Sequence, residues 1–362
     1  MPDFWNTLFS SGGIRIEFRQ LRKGGRPFLL LPRRSAAAET TLELYPAQTS
    51  RARVAKSLLR MVIKAGLSLG TERTALSVSS EDDFLEFLAV QAGTSHKIPD
   101  FGVLAGNPAH DTQRFIIALF GEDQNPVAVV KAGLSEPAKA LIQKEEQFLS
   151  QTRKGPLGIP KLRATFANNQ INAFAMDFIE GKSPRSSDRQ RLASLFSSWV
   201  ELKTQIALSQ TRGWQQLEKA GTPYQTYPFL AELRERKIQP SLQHGDFVPW
   251  NIRVLPNREW TVLDWERGYP NGIPGWDWFH YLIQPAILVD HKSVNEIAEV
   301  LQDLLDSKEF KTYAKQAGIP GIDRELLVAY LAHFVEVINP AQGLEVNRAL
   351  LKFLCNRWFQ LT

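Results

Sequence analysis

Cysteine is almost missing from this chain. Cys355 is the only one among 362 residues, so no internal disulfide can form, and such usage suits a reducing cytoplasm. No run of eighteen consecutive apolar residues occurs, and no membrane-spanning helix is expected. The opening MPDFWNTLFSSGGIRIEF lacks a basic stretch followed by an apolar core, so no secretory signal is expected and a cytoplasmic location is. There is no internal repeat and no low-complexity tract. Six histidines and one cysteine offer little material for a zinc site, which recruits such residues in ordered sets. What is present is an ordinary globular composition. At 43% hydrophobic residues, the chain can bury a sizeable core spread over two or three domains.

Positive charge is concentrated at one end. Through Arg73 there are thirteen basic and five acidic residues, an excess of eight against five for the whole chain. Ile14 to Arg19, Phe28 to Pro32 and Thr41 to Tyr45 read as short strands. Arg51 to Leu67 reads as a helix with Arg53, Lys56, Arg60 and Lys64 on one face and Val54, Leu58, Met61, Val62 and Ala65 elsewhere on the wheel. A basic amphipathic helix can lie on an anionic membrane or meet a phosphorylated ligand. The simpler reading is the solvated face of a packed helix. No DNA- or RNA-binding motif accompanies the charge, which argues against a nucleic-acid partner.

The chemistry is concentrated between Ser241 and Glu266, in SLQHGDFVPWNIRVLPNREWTVLDWE. Ile252 to Leu255 and Trp260 to Leu263 fit two short strands joined by the turn Pro256-Asn257-Arg258. Folding that hairpin returns Asp264 to the side of Asn251. A carboxylate and a carboxamide oxygen are hard donors suited to Mg²⁺, which binds through one or two carboxylates plus substrate phosphates. Asp246 is then left to orient or deprotonate an incoming hydroxyl. A metal-dependent hydrolase using His244, Asp246 and Asp264 as ligands is the chemical rival.

HGDFVPWN followed by LDWE resembles the catalytic loop and metal-binding strand end of the aminoglycoside phosphotransferase and choline kinase group of small-molecule kinases. These are similar in fold to protein kinases, whose catalytic loop spaces Asp and Asn alike. The resemblance implies Asp246 as catalytic base, Asn251 and Asp264 as Mg²⁺ ligands, and His244 as a structural member of the loop. It also implies that Asp277, in RGYPNGIPGWDWFHYL, braces the loop. ATP and Mg²⁺ are the implied cofactors and a small-molecule hydroxyl the implied acceptor.

Upstream, Phe101 to Leu104, Arg114 to Phe120 and Val127 to Lys131 read as strands and Glu136 to Gln151 as a helix. A nucleotide needs a fixed cation for its phosphates, and VAVVKAG ends a buried strand on Lys131. By resemblance, Glu145 in KEEQFL is the helix glutamate that pairs with that lysine, with Glu146 adjacent. The loop AGNPAHDTQ has only Gly106 near its tip, so it departs from the glycine-rich loop of protein kinases, and no GxxxxGKS or GxxxxGKT motif occurs. NAFAMDFIEGKSP reads as a strand and breaker. The resemblance makes it the hinge, with Met176 beside the adenine and Asp177, Phe178 and Ile179 offering backbone contacts.

Helical periodicity dominates after Gly181, in Ser187 to Ser209, Tyr227 to Lys237, Ser293 to Asp306, Arg324 to Ile338 and Leu344 to Phe359. Trp250, Trp260, Trp265, Trp276 and Trp278 crowd the catalytic region, either as core anchors or as a wall for a sugar or quaternary ammonium. Glu266, Asp277 and Asp290 are the acidic candidates for a cationic acceptor.

The expected fold is α+β and two-lobed, protein kinase-like, with a small antiparallel β-sheet N-lobe and a mostly α-helical C-lobe. Residues 1–95 form a basic N-terminal α/β extension, 96–180 the N-lobe and hinge, and 181–362 the helical lobe with the catalytic loop. The resemblance covers about His96 to Tyr281. An ATP-dependent phosphotransferase is the expected function. A catalytically silent nucleotide-binding module, or a membrane-surface protein acting through its basic region, is the alternative.

Overall fold

The computed structural model describes residues 4–46, 50–67, 70–94, 98–106, 111–152, 157–184, 188–221 and 226–360. The chain divides into two compact units, one of residues 1–153 with 160–179, the other of 154–159 with 180–362.

The first unit contains β1 (Ile14–Lys23), β2 (Arg26–Pro32), α1 (Ser35–Glu43), α2 (Ser50–Lys64), β3 (Glu72–Val78), α3 (Asp83–Ala92), β4 (Asp100–Ala105), β5 (Arg114–Phe120), β6 (Pro126–Gly133), α4 (Glu136–Gln151), β7 (Leu162–Ala167) and β8 (Asn172–Asp177). Its strands form one eight-stranded sheet in the order β3-β1-β2-β4-β5-β6-β8-β7, antiparallel throughout. Gly24 and Gly25, both at positive φ, make the two-residue turn that lets Lys23 pair with Arg26.

Alternation along β1 gives the sheet two different faces. Ile16 and Phe18 enter one core with Trp5, Leu30, Leu76, Phe84, Phe101, Val103, Ile117 and Val130. On the other face Leu21, Leu29, Leu31 and Leu104 lie under Ala38 and Leu42 of α1 and Ile63 of α2. The β2–β4 pairing and the first core both join residues before and after position 95. The boundary expected at residues 95 and 96 therefore runs through a single sheet. Three strands alone would leave an apolar face and an edge uncovered, and β4 covers the edge.

One expectation in this region is corrected. Thr41 to Tyr45 is not a strand: Thr41 and Leu42 belong to α1, where the Thr41 hydroxyl donates to the Ala37 carbonyl at 2.8 Å. The alanines at 36–38 set the local preference, and Thr41 packs so closely on Gly102 of β4 that no Cβ fits there. Helix α2 is present, but it packs through Leu59 and Ile63. Val54, Leu58 and Met61 face solvent instead.

The second unit contains α5 (Arg189–Trp199), β9 (Ile206–Ala207), α6 (Arg212–Ala220), α7 (Phe229–Leu233), β10 (Lys237–Ile238), β11 (Ser241–Gln243), β12 (Ile252–Val254), β13 (Trp260–Val262), β14 (Tyr269–Gly272), α8 (Trp276–Leu288), α9 (Val294–Asp306), α10 (Lys308–Gln316), α11 (Asp323–His333) and α12 (Leu344–Phe359). The helices expected over Ser187 to Ser209 and Tyr227 to Lys237 are shorter, α5 and α7, each followed by a two-residue strand pairing β9 with β10. Ser187 itself lies outside the described residues. The helix expected over Arg324 to Ile338 changes to a π-helical turn at Phe334–Ile338 and stops at Asn339, in the left-handed region. Among the described residues no helix is long and apolar enough to cross a membrane.

Candidate active site

In the first unit, Lys131 sits on β6 opposite Phe174 of β8. Its ammonium lies 2.7 and 2.8 Å from the two carboxylate oxygens of Glu145 on α4, and both side chains are buried. Ser135 caps α4 by accepting from the Ala138 amide. Gly133 brings the helix against the strand, since a Cβ there would lie 2.7 Å from the Ala138 carbonyl carbon. The glutamate that meets Lys131 is therefore Glu145. Glu146 is part-exposed, with its carboxyl pushed up by partial burial.

Met176 is buried on β8 opposite Val129. Asp177 is exposed and faces Arg163 across 3.6 Å. The Phe178 amide is already used, donating to the Val127 carbonyl at 3.3 Å. Of the backbone groups expected to meet adenine at Asp177, Phe178 and Ile179, the N–H of Phe178 is thus committed to the sheet. A run of apolar residues does not reveal which amides the ladder will take.

In the second unit, the loop after β11 is held from below by α8. The Asp277 carboxylate accepts from the His244 and Gly245 amides at 2.5 and 2.9 Å. Full burial pushes this carboxyl upward, against the two amide bonds that favour its ionised form. Gly245 has φ 78°, and Arg267 packs where a Cβ would point. Both ring nitrogens of His244 are engaged within the loop: its Nε2 lies 2.8 Å from the Leu263 carbonyl, and its Nδ1 accepts from the Asp246 amide at 3.2 Å. These partners fix the neutral tautomer protonated at Nε2.

The hairpin has the expected register, with Ile252 opposite Val262 and Val254 opposite Trp260. The Leu263 amide donates to the Asn251 carbonyl at 2.7 Å, which ties the end of β13 to the loop. Asp264 follows in a left-handed conformation, φ 73° and ψ 55°, a backbone state that non-glycine residues hold at some energetic cost. The Asn251 side-chain nitrogen donates to the Asp246 carbonyl at 3.0 Å, leaving its carboxamide oxygen for another partner. A carboxamide oxygen and a carboxylate are hard donors that fit Mg²⁺, whose other positions are filled by water and phosphate. No group of three or more His, Cys, Asp or Glu suited to a metal occurs among the described residues, which does not support the hydrolase alternative.

Asp246 has a partner that the sequence reading missed. Nε2 of His280, on α8, lies 3.2 Å from Asp246 Oδ1. Nδ1 of His280 lies 2.9 Å from the Tyr330 hydroxyl, and that hydroxyl accepts from the Gln284 amide at 3.4 Å. With Tyr330 accepting from Gln284, its own proton points to His280 Nδ1, and Nε2–H donates to Asp246. Desolvation raises the Asp246 carboxyl, but the His280 hydrogen bond, followed by the Arg267 charge, outweighs it and holds the group below its ordinary value. His280 lies three residues after Asp277, so one turn of helix carries both to the loop. That spacing was the available signal, but PGWDWFHYL did not read as a helix.

The aromatic cluster is core: Trp265, Trp276 and Trp278 are fully buried and Trp260 nearly so, while Trp250 is part-exposed. Asp277 is occupied by two amides, which removes it from the acidic candidates for acceptor recognition.

No family profile matches the sequence, and no curated protein sequence matches it. The chain is similar to the ethanolamine kinase of Plasmodium vivax, at 11% identity over 89% of this chain and 94% of that one, with a TM-score of 0.47. It is also similar to a thermostable mutant aminoglycoside phosphotransferase solved with ADP and hygromycin B, at 10% identity, 76% and 98% coverage and a TM-score of 0.48. A third is an aminoglycoside phosphotransferase of Streptomyces rimosus in complex with ADP and streptomycin, at 15% identity, 69% and 96% coverage and a TM-score of 0.44. The chain thus has an antiparallel-sheet unit with a buried lysine–glutamate pair, followed in sequence by a largely helical unit carrying the braced loop and the hairpin.

Proposed function

We propose that the protein transfers the γ-phosphoryl group of ATP to a hydroxyl of a small molecule. The observation that carries this reading is the loop in which Asp277 fixes the backbone before Asp246 while Asn251 is tied to the end of β13. Asp246 aligns the acceptor hydroxyl and takes its proton as the new O–P bond forms and ADP departs. His280 holds Oδ1 of that carboxylate. Lys131, positioned by Glu145, holds the α and β phosphates. Asn251, through its carboxamide oxygen, and Asp264 hold Mg²⁺, which when bound neutralises charge on the phosphate oxygens. Because such a transition state is loose, positioning and electrostatics supply most of the catalysis.

Calorimetric titration of ATP with and without Mg²⁺ tests the binding half of this reading. Wild-type protein should bind Mg-ATP more tightly than free ATP, and Asp264→Ala should lose that difference. Equal affinities in wild type and variant would remove Asp264 from the metal site.

A further inference from the structure

Helix α2 carries apolar residues on both of its sides. At about 100° per residue, Ala52, Lys56, Leu59 and Ile63 share one face, and this face packs toward α1 and the sheet. Val54, Leu58, Met61 and Ala65 fall on the opposite face. The first three are 61, 55 and 60% exposed, and Leu67, just beyond the helix, is 57% exposed. Nine large apolar side chains are exposed among the described residues, and four of them lie within these fourteen positions. Such clustering differs from the scattered exposure that needs no explanation. The core already has its contact with α2, so this second stripe is not explained by folding.

Cations border the stripe. Arg53, Arg60 and Lys64 run along one side and Arg51 along the other. Arg60 is tied to Glu39 and Glu43 of α1, whereas Arg51 and Lys64 form no ion pair among the described residues. Beyond the helix end, Arg15 and Arg19 of β1, Arg73 of β3 and Arg33 surround Glu17 in a depression of about 320 Å³. Arg33 is paired with Glu17 at 2.7 Å, but Arg15 and Arg73 have no ion pair among the described residues. Arg19 donates to the Leu67 carbonyl at 3.0 Å, so the depression adjoins the end of the apolar stripe.

We propose that this face docks on an anionic lipid bilayer. Val54, Leu58, Met61 and Leu67 enter the boundary between headgroups and acyl chains, while Arg51, Lys64, Arg15 and Arg73 meet lipid phosphates. An apolar stripe edged by cations is the pattern that combines insertion with attraction to anionic lipid. A second copy is disfavoured because it would bring the same cations face to face. Nucleic acid would have no use for the apolar stripe. The inference stands on the N-terminal region alone and is independent of the phosphoryl-transfer reading.

Sedimentation of the full chain with vesicles tests it. Vesicles of mixed phosphatidylglycerol and phosphatidylcholine should carry the protein down, pure phosphatidylcholine should not, and raising the salt should release it. Leu58→Asp with Met61→Asp should lower the partition coefficient by about tenfold or more, because charge on the apolar face opposes insertion. Both positions are exposed, so circular dichroism and the melting temperature should match wild type. Arg15→Gln with Arg73→Gln should weaken binding to anionic vesicles while leaving the fold unchanged. Equal sedimentation with neutral and anionic vesicles, or full binding by the Leu58/Met61 variant, would overturn the proposal. So would an absence of vesicle binding joined to a dimer that the same variant dissolves, which would assign the face to a second copy.

Discussion

His280 Nε2 lies 3.2 Å from Asp246 Oδ1, and the Tyr330 hydroxyl holds the far side of the same imidazole at 2.9 Å. One carboxylate oxygen of the proposed base is therefore fixed by a donor that is itself fixed. The other oxygen, Oδ2, has the Asn251 side-chain nitrogen 3.5 Å away and is the one that the proposed function turns toward the acceptor hydroxyl.

Removing that donor should slow turnover more than it weakens binding. His280→Leu should lower the rate of ATP turnover by about tenfold, the scale of one lost hydrogen bond to a charged group. Its affinity for ATP should stay near wild type, and His280→Gln should recover part of the rate. Tyr330→Phe should have a smaller effect, since it frees the imidazole without removing it. Equal loss in the Leu and Gln variants, or a loss confined to ATP affinity, would show that His280 only fills space.

The Lys131–Glu145 pair makes a prediction about stability. Both groups are buried, and deleting one removes the closest counter-charge of the other. Glu145→Ala should lower the stability of the first unit by about 3–5 kcal/mol. The double change Lys131→Met with Glu145→Leu should be milder than Glu145→Ala alone. Denaturant unfolding followed on the first unit's tryptophan, Trp5, distinguishes the two outcomes, and additive losses would mean the pair contributes as independent side chains.

Much of this site was legible because its signals are local. HGDFVPWN, the Pro256-Asn257 turn and LDWE lie on consecutive loop, strand, turn and strand, so spacing alone returned Asp264 toward Asn251. Lys131 and Glu145 are fourteen residues apart on a strand and the next helix, and they too met. The failures are long-range or two-sided. Nothing in Leu29 and Leu30 says they will pair with Leu104 and Val103, yet that contact joins the N-terminal strands to the main sheet. The wheel of α2 shows apolar residues on two faces, and only the structure says which one packs. At Thr41, β-branched residues suggested a strand while the alanines before them began a helix. His280 was hidden in an aromatic-rich segment whose helix begins after a glycine at φ 89° and lacks a side-chain cap.

Acid should destabilise the second unit partly through His333. Burial, followed by the charge of Arg212, lowers this imidazole from 6.5 to about 4, and its Nε2 meets the Gln216 carboxamide oxygen at 2.9 Å. Between those values the unfolded chain binds the proton and the folded chain does not, so stability rises with pH across the window. The contribution is complete above about pH 6.5 and is lost as the pH falls toward about 4, at up to about 1.4 kcal/mol per pH unit. His333→Gln should therefore show a shallower loss of melting temperature between pH 7 and 4 than wild type. Identical slopes would contradict this assignment.

Turnover of Mg-ATP by purified wild-type protein beside Asp246→Asn tests the central claim most directly. Asn keeps the shape of the side chain but removes the charge that takes the proton. The account predicts slow hydrolysis in wild type, a loss of two or more orders of magnitude in the variant as expected for a missing general base (about 10²–10⁴-fold), and nearly equal ATP affinity in both. Equal turnover in the two proteins, or no ATP binding by wild type, would contradict it.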